Sequence, residues 1–139
     1  PTVVLDSNVL EAAMRSRRGA SIALLRAVGT GRFDVTVSVP VVLEYEEVLM
    51  RQAGAAGRRR AAVRDVIDFL CAVGKQQSVF FLWRPCLPDP DQDMLLELAV
   101  AAGCDAIVTH NRRDFGPARQ FGVHGLTPAE FRNEIGGVS

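Results

Sequence analysis

Residues 2–10 of the chain have the sequence Thr2-Val3-Val4-Leu5-Asp6-Ser7-Asn8-Val9-Leu10. A short β-branched apolar run that ends in an acid and continues into a helical apolar pattern predicts a strand, a carboxylate and the start of a helix. In open parallel α/β sheets, ligands bind at the carboxyl ends of the strands. Asp6 is therefore predicted to lie at an edge of the sheet where chemistry takes place.

Strand patterns alternate with helical patterns along the rest of the chain. We predict strands at residues 2–5, 33–38, 79–82, 106–109 and 122–125. We predict helices at residues 7–14, 19–29, 40–51, 61–73 and 90–102, and a last helix that begins at Thr127-Pro128. This alternation predicts an α/β protein, a three-layer α/β/α sandwich with a mostly parallel central sheet. A chain of 139 residues is expected to form a single domain, here residues 1–139.

The composition excludes several classes of protein. Sixteen basic and sixteen acidic residues cancel, so the net charge indicates neither a nucleic-acid partner nor a membrane partner. Three cysteines without a C-x-x-C pair, together with only two histidines, do not match the spacing of a zinc site. No apolar run reaches the roughly 18 residues that a bilayer-spanning helix needs. We therefore expect a cytoplasmic protein that makes no membrane contact.

Acidic and amide residues recur near the predicted strand ends and helix starts. In chain order they are Asp6, Glu44, Asp91, Asp93, Asn111 and Asp114. If the sheet is parallel, these positions face the same edge, and clustered carboxylates repel one another unless cations are bound. Oxygen ligands suit Mg²⁺ or Mn²⁺ rather than zinc. Two such ions, about 3.5–4 Å apart, can activate water and stabilise the leaving oxygen of a phosphodiester.

Four segments of the chain resemble the motifs of a PIN domain. They are VLDSNVL at residues 4–10, VVLEYEEVL at 41–49, DPDQDMLLELA at 89–99 and IVTHNRRDF at 107–115. Each segment alone is a weak signal, but four in the expected order and spacing, across nearly the whole chain, are specific. The chain is most similar to the VapC-like group of bacterial proteins, which are described as toxin components of toxin–antitoxin pairs.

The resemblance implies an α/β/α fold whose acids bind Mg²⁺ or Mn²⁺ and hydrolyse RNA. Asp6 matches the first acid of the family pattern and Glu44 the second. Asn8 matches a polar position beside the first acid, and Thr109 matches a hydroxyl at the end of the strand that leads into the last site position. We assign both to RNA binding. The same resemblance implies a small antitoxin partner and a homodimer.

The third and fourth acidic positions match the family pattern less closely. Counting back from Thr109 gives Asp93 as the third acid, whereas counting from the small residues of the helix gives the amide Gln92, and we prefer Asp93. The fourth position is Asn111, and Asp91 or Asp114 completes the predicted shell. Because an amide adds no charge, we predict weaker metal affinity than the usual pattern would give.

A neutral chain that holds RNA still needs local positive charge for the phosphates. Arg112 and Arg113 lie next to the predicted site and are the predicted phosphate contacts. The sequence therefore predicts a metal-dependent endoribonuclease whose catalytic residues are Asp6, Glu44 and Asp93, the toxin of a toxin–antitoxin pair. The alternative is a PIN fold that binds RNA but has lost its chemistry, and the two amides of the site keep that alternative open.

Overall fold

A computed structural model of the chain describes residues 1–79 and 86–137. Within these residues the strands are β1 (Thr2–Leu5), β2 (Asp34–Val37), β3 (Lys75–Gln76), β4 (Ala106–Val108) and β5 (His124–Leu126). They form one sheet in the order β3-β2-β1-β4-β5, and every neighbouring pair is parallel. The strand that precedes Asp6 is therefore the central one.

The helices of the described residues follow the strands in alternation. They are α1 (Ser7–Arg15), α2 (Ala20–Ala27), α3 (Val39–Ala53), α4 (Gly57–Val73), α5 (Pro90–Ala101) and α6 (Pro128–Glu134), with a 3₁₀ helix at Arg112–Phe121. The predicted three-layer α/β/α fold with a parallel sheet is confirmed. None of the helices in the described part of the chain is long and apolar enough to cross a membrane.

The central strand explains why the sheet forms at the start of the chain. Val3, Val4 and Leu5 of β1 are at most 1% exposed. Strands buried on both faces are continuously apolar rather than alternating, and the β-branched residues of β1 suit such a strand. Leu5 pairs with Val108 at the ends of β1 and β4, so the residues that follow these two strands lie side by side at one edge of the sheet.

The structure differs from the sequence prediction in two elements, and a third prediction lies largely outside the described residues. The helix predicted at 61–73 begins earlier, at Gly57, and residues 112–121 form a 3₁₀ helix that we did not predict. The strand predicted at 79–82 falls, apart from Val79, outside the described residues. Among the described residues, the strand that pairs with β2 on its outer side is the two-residue β3, whose exposed Lys-Gln sequence carries no apolar strand signal.

Candidate active site

An open cleft of about 410 Å³ lies where β1 ends, between α1, α3 and the start of α5. Among the described residues, its lining contains one arginine, Arg51, and six carboxylates, those of Asp6, Glu11, Glu44, Glu47, Asp89 and Asp91. The amides of Asn8, Gln92 and Asn111 also line it. The cleft is therefore strongly acidic and offers mainly oxygen ligands.

Asp6 is held at the junction of the two central strands. Its backbone N–H donates to the carbonyl oxygen of Val108, and its Oδ2 accepts a hydrogen bond of 2.8 Å from Thr109 Oγ1. Its Oδ1 accepts weaker hydrogen bonds from the backbone N–H of Asn8 and from the Ser7 hydroxyl, both at 3.4 Å. Asp6 therefore also caps α1. Burial raises the pKa of Asp6, and these hydrogen bonds offset part of that rise because they favour the ionised carboxyl.

Thr109 and Asn8 connect the ends of β1 and β4 around Asp6. Thr109 Oγ1 accepts hydrogen bonds from the backbone N–H of Asn111 at 3.0 Å and from Asn8 Nδ2 at 3.4 Å. Asn8 Oδ1 in turn accepts from the backbone N–H of His110 at 3.2 Å. Thr109 has no exposed surface, so its hydroxyl positions Asp6 rather than facing a ligand, whereas Asn8 does line the cleft.

Glu44 and Asp91 face each other across the cleft from α3 and α5. Burial, and then the charges of Asp91 and Glu47, raise the pKa of Glu44, whose carboxyl is also within hydrogen-bonding reach of Asp91. Asp91 is placed by its helix start, because Asp89 caps α5 and its Oδ1 accepts from the Asp91 backbone N–H at 2.9 Å. Two carboxyl groups this close are the arrangement that a bound cation stabilises.

Asp93, the residue that the sequence favoured as third acid, does not line the cleft. It is 7% exposed, and its Oδ1 accepts hydrogen bonds from the backbone N–H groups of Cys86 at 2.9 Å and Leu87 at 3.1 Å. Residues two apart on an α-helix point about 200° apart, so Asp91 and Asp93 cannot face the same side of α5. The structure brings Asp91, and not Asp93, towards Asp6 and Glu44.

The remaining predicted ligands divide between the cleft and its surroundings. Asn111, at the start of the 3₁₀ helix, lines the cleft. Asp114 does not line it, and its Oδ2 accepts a hydrogen bond of 2.9 Å from Gln92 Nε2. Gln92 therefore connects the cleft to Asp114. The Asp114 carboxyl contacts the Gln92 side-chain amide and does not line the cleft beside Asp6.

Arg112 and Arg113, the predicted phosphate contacts, lie outside the acidic cleft. Arg112 Nη1 forms a 2.6 Å salt bridge with Glu130 Oε2 of α6. Both arginines line a separate surface depression with Arg119. The positive charge of Arg112 is thus paired with Glu130, which the local sequence around residue 112 could not indicate.

Glu11 and Tyr45 are among the cleft residues that the sequence analysis did not predict. Glu11 lies four residues after Ser7 on α1, and this i, i+4 spacing, which places both on one helix face, is the signal that could have found it. Tyr45 is fully buried, and its hydroxyl donates a hydrogen bond to the Leu5 carbonyl oxygen. Tyr45 thereby fixes α3, and with it Glu44, against the end of β1.

The donor chemistry of the cleft fits a hard divalent cation. Across residues 1–79 and 86–137, no three His, Cys, Asp or Glu side chains lie close enough together to form a ready metal site. Asp6, Glu44, Asp91 and Asn111 nevertheless supply oxygen donors only, which suits Mg²⁺ or Mn²⁺ rather than zinc. Burial is the main cause of the raised Glu44 pKa, and the charges of Asp91 and Glu47, which raise that pKa further, are the charges that such a cation would neutralise.

Comparison with known proteins shows the family and the fold. A family model described as PIN domain matches residues 2–113. The chain is similar in structure to the crystal structure of VapBC2 from Rickettsia felis bound to a DNA fragment from their promoter. The TM-score is 0.59, the identity is 11%, and the match covers 91% of this chain and 99% of that one, so the likeness concerns the fold. No curated protein matches the sequence.

Proposed function

This chain belongs to the PIN domain family, and from that premise we propose that it is a metal-dependent endoribonuclease that hydrolyses RNA phosphodiester bonds. One observation carries the proposal. Asp6, Glu44 and Asp91, which come from three separate elements, converge on one cleft at the carboxyl end of the central strand. A cleft with six carboxylates and one arginine would repel RNA unless cations were bound there.

We assign the metal-binding role to Asp6, Glu44 and Asp91, with the amide oxygen of Asn111 completing the set. Mg²⁺ or Mn²⁺ bound there supplies Lewis-acid stabilisation of the phosphate oxygens and lowers the pKa of bound water. In this proposal Asp91 takes the place that the sequence gave to Asp93. Asp93 serves the site indirectly, because it ties the segment at residues 86–87 to the first turn of α5.

The reaction is an in-line displacement at phosphorus. A water oxygen forms a bond to phosphorus, the bond from phosphorus to the 3′-oxygen breaks, and the products carry a 5′-phosphate and a 3′-hydroxyl. The attacking water releases its proton to the solvent of the open cleft, while Glu44 keeps the metal-binding role assigned above. The 3′-oxygen takes its proton from solvent in the open cleft.

The first experiment compares cleavage of a mixed, structured RNA pool by the purified protein in Mn²⁺, in Mg²⁺ and in EDTA. We expect cleavage with either metal, none in EDTA, and none with Asp6→Asn. No cleavage in any metal by a folded protein that still binds the RNA would overturn the proposal. That result would favour the RNA-binding alternative. Two observations support this alternative: the cleft contains the amides Gln92 and Asn111, and the described residues hold no ready three-acid metal site.

A matched pair of variants on α5 tests the choice of third acid. Asp91→Asn removes a charge from the cleft, and we expect it to abolish cleavage without loss of fold. Asp93→Asn keeps one oxygen acceptor for the Cys86 and Leu87 amides, and we expect it to retain cleavage while the protein becomes easier to unfold. If Asp91→Asn cleaved RNA while a folded Asp93→Asn did not, Asp93 rather than Asp91 would be the third acid.

We further propose that the chain works with a protein antitoxin and forms a homodimer. The support is the similarity of fold to VapBC2, a complex of two components. Light scattering on the purified protein tests the homodimer. Co-expression with the product of a small open reading frame beside its gene tests the antitoxin, because a genuine antitoxin would co-purify and suppress RNA cleavage.

A further inference from the structure

A second cavity, of about 420 Å³, lies between the ends of α1 and α3 and the start of α4. We call it the arginine groove and define it by Arg15, Arg59, Leu49 and Val63, which are among its lining residues. Leu49 and Val63 are at most 1% exposed and lie at the apolar bottom of the groove, whereas both arginines are exposed. The groove thus combines an apolar bottom with cationic side chains from two helices.

The positive charge of the groove is not neutralised by the described part of the protein. The salt bridges found there use Arg51, Lys75 and Arg112, and neither Arg15 nor Arg59 takes part in one. Arg58, Arg59 and Arg60 occupy the first turn of α4, where no acid is present and where the helix dipole disfavours cations. An arginine run without a partner acid in this turn favours an anionic ligand.

The arginine groove continues the acidic cleft along the same two helices. On α1, Glu11 lines the cleft and Arg15 lines the groove; on α3, Arg51 lines the cleft and Gln52 lines the groove. Nine residues of α3 separate Glu44 from residue 53 at the far end of the groove, which is a distance of about 13 Å along the helix axis. One extended polymer strand can therefore pass from the cleft into the groove.

We propose that the arginine groove binds the RNA strand beside the bond that is cut, with Arg15 and Arg59 each contacting a phosphate. This inference rests on the proposed ribonuclease function. The cleft itself has little positive charge to offer, because Arg51 pairs with Glu47 at 3.0 Å. Arginine's planar fork suits phosphate oxygens.

An acidic amphipathic peptide is the other class of ligand that this chemistry would accept. The observations favour RNA because α1 and α3 line both the groove and the cleft, and the proposed function places the scissile phosphodiester in the cleft. A strand bound at both positions would have its register fixed relative to Asp6. Arg15 and Arg59 are accordingly positioning residues for the substrate and not catalytic residues.

The test measures binding of a short fluorescent single-stranded RNA by anisotropy, in EDTA so that no cleavage occurs. The proteins are wild type, Arg15→Ala/Arg59→Ala, the charge-preserving Arg15→Lys/Arg59→Lys, and Arg26→Ala, an exposed arginine on α2 that lines neither cavity. Loss of two phosphate contacts should lower the salt dependence by about 1.4 in the log–log slope. Wild-type affinity should then fall about sevenfold more than that of the double alanine variant between roughly 50 and 200 mM salt.

We expect wild-type slopes for Arg26→Ala and for the double lysine variant. Unchanged affinity and slope in the double alanine variant, with the wild type binding RNA, would overturn the groove assignment alone and point to a peptide ligand. A weaker double alanine variant together with a wild type that never cleaves would support the groove and overturn the nuclease. A wild type that binds no RNA in EDTA would overturn the groove assignment, whereas the nuclease proposal is judged by the cleavage assay, because the metal-free cleft itself repels RNA.

Discussion

Replacement of Thr109 by valine tests how the site holds its first acid. The substitution keeps the shape of a side chain that has no exposed surface, and it removes a hydroxyl that donates to Asp6 Oδ2 at 2.8 Å. It also removes the acceptor for the Asn111 backbone N–H and for Asn8 Nδ2. Thr109→Ser is the matched control, because it keeps the hydroxyl and loses only a buried methyl group.

A hydrogen bond to a charged group stabilises a protein by about 1.5–3 kcal/mol. The bonds from Asn111 and Asn8 add little, since both residues reach the surface and water can replace the lost acceptor. We therefore expect Thr109→Val to lower the free energy of unfolding by about 2–3 kcal/mol, or the Tm by roughly 8 °C. Thr109→Ser should cost about 1 kcal/mol, the value of one buried methyl group.

The same hydrogen bond favours the ionised form of Asp6, so its loss raises the pKa of Asp6 further. The acid limb of the pH–rate profile for RNA cleavage should move to higher pH in Thr109→Val and stay in place in Thr109→Ser. Urea unfolding and cleavage assays across pH measure both effects. Equal unfolding free energies and superimposable acid limbs for the two variants would refute the argument that Thr109 positions the Asp6 carboxylate.

Three further predictions follow from individual contacts. Burial raises the pKa of Asp6, so the stability that its neutral form contributes is present at low pH and is lost as the pH rises through the raised value. Asp6→Asn should therefore resist urea better than wild type near neutral pH and should match it at low pH, where the Asp6 carboxyl of the wild type is protonated; a less stable variant at neutral pH would contradict this. Tyr45→Phe leaves the Leu5 carbonyl oxygen without its donor, and a loss of about 1–2 kcal/mol is expected in urea unfolding, whereas an unchanged midpoint would count against that bond. Asn111→Asp adds a charge to the cleft and should bind Mn²⁺ more tightly in calorimetric titration; equal affinity would show that Asn111 is not a ligand.

The sequence by itself determined the order of the elements and the position of the first acid. The run Thr2–Leu5 is apolar enough to be buried on both faces, and Asp6 must follow where that strand ends. Local capping patterns were equally reliable, since Thr127 accepts from the Glu130 backbone N–H and begins α6 as predicted. These features depend on contacts between residues a few positions apart, which a linear pattern records.

Only the tertiary structure decided which acid joins Asp6 and Glu44. Asp91 and Asp93 are indistinguishable as first-turn acids of α5, and the direction each faces depends on how that helix lies against the sheet. The pairing of Arg112 with Glu130 and the burial of Thr109 likewise depend on where distant segments meet. A pattern of residue types fixes periodicity and caps, whereas the orientation of a helix about its own axis is set by packing, and that orientation decides which side chains enter the site.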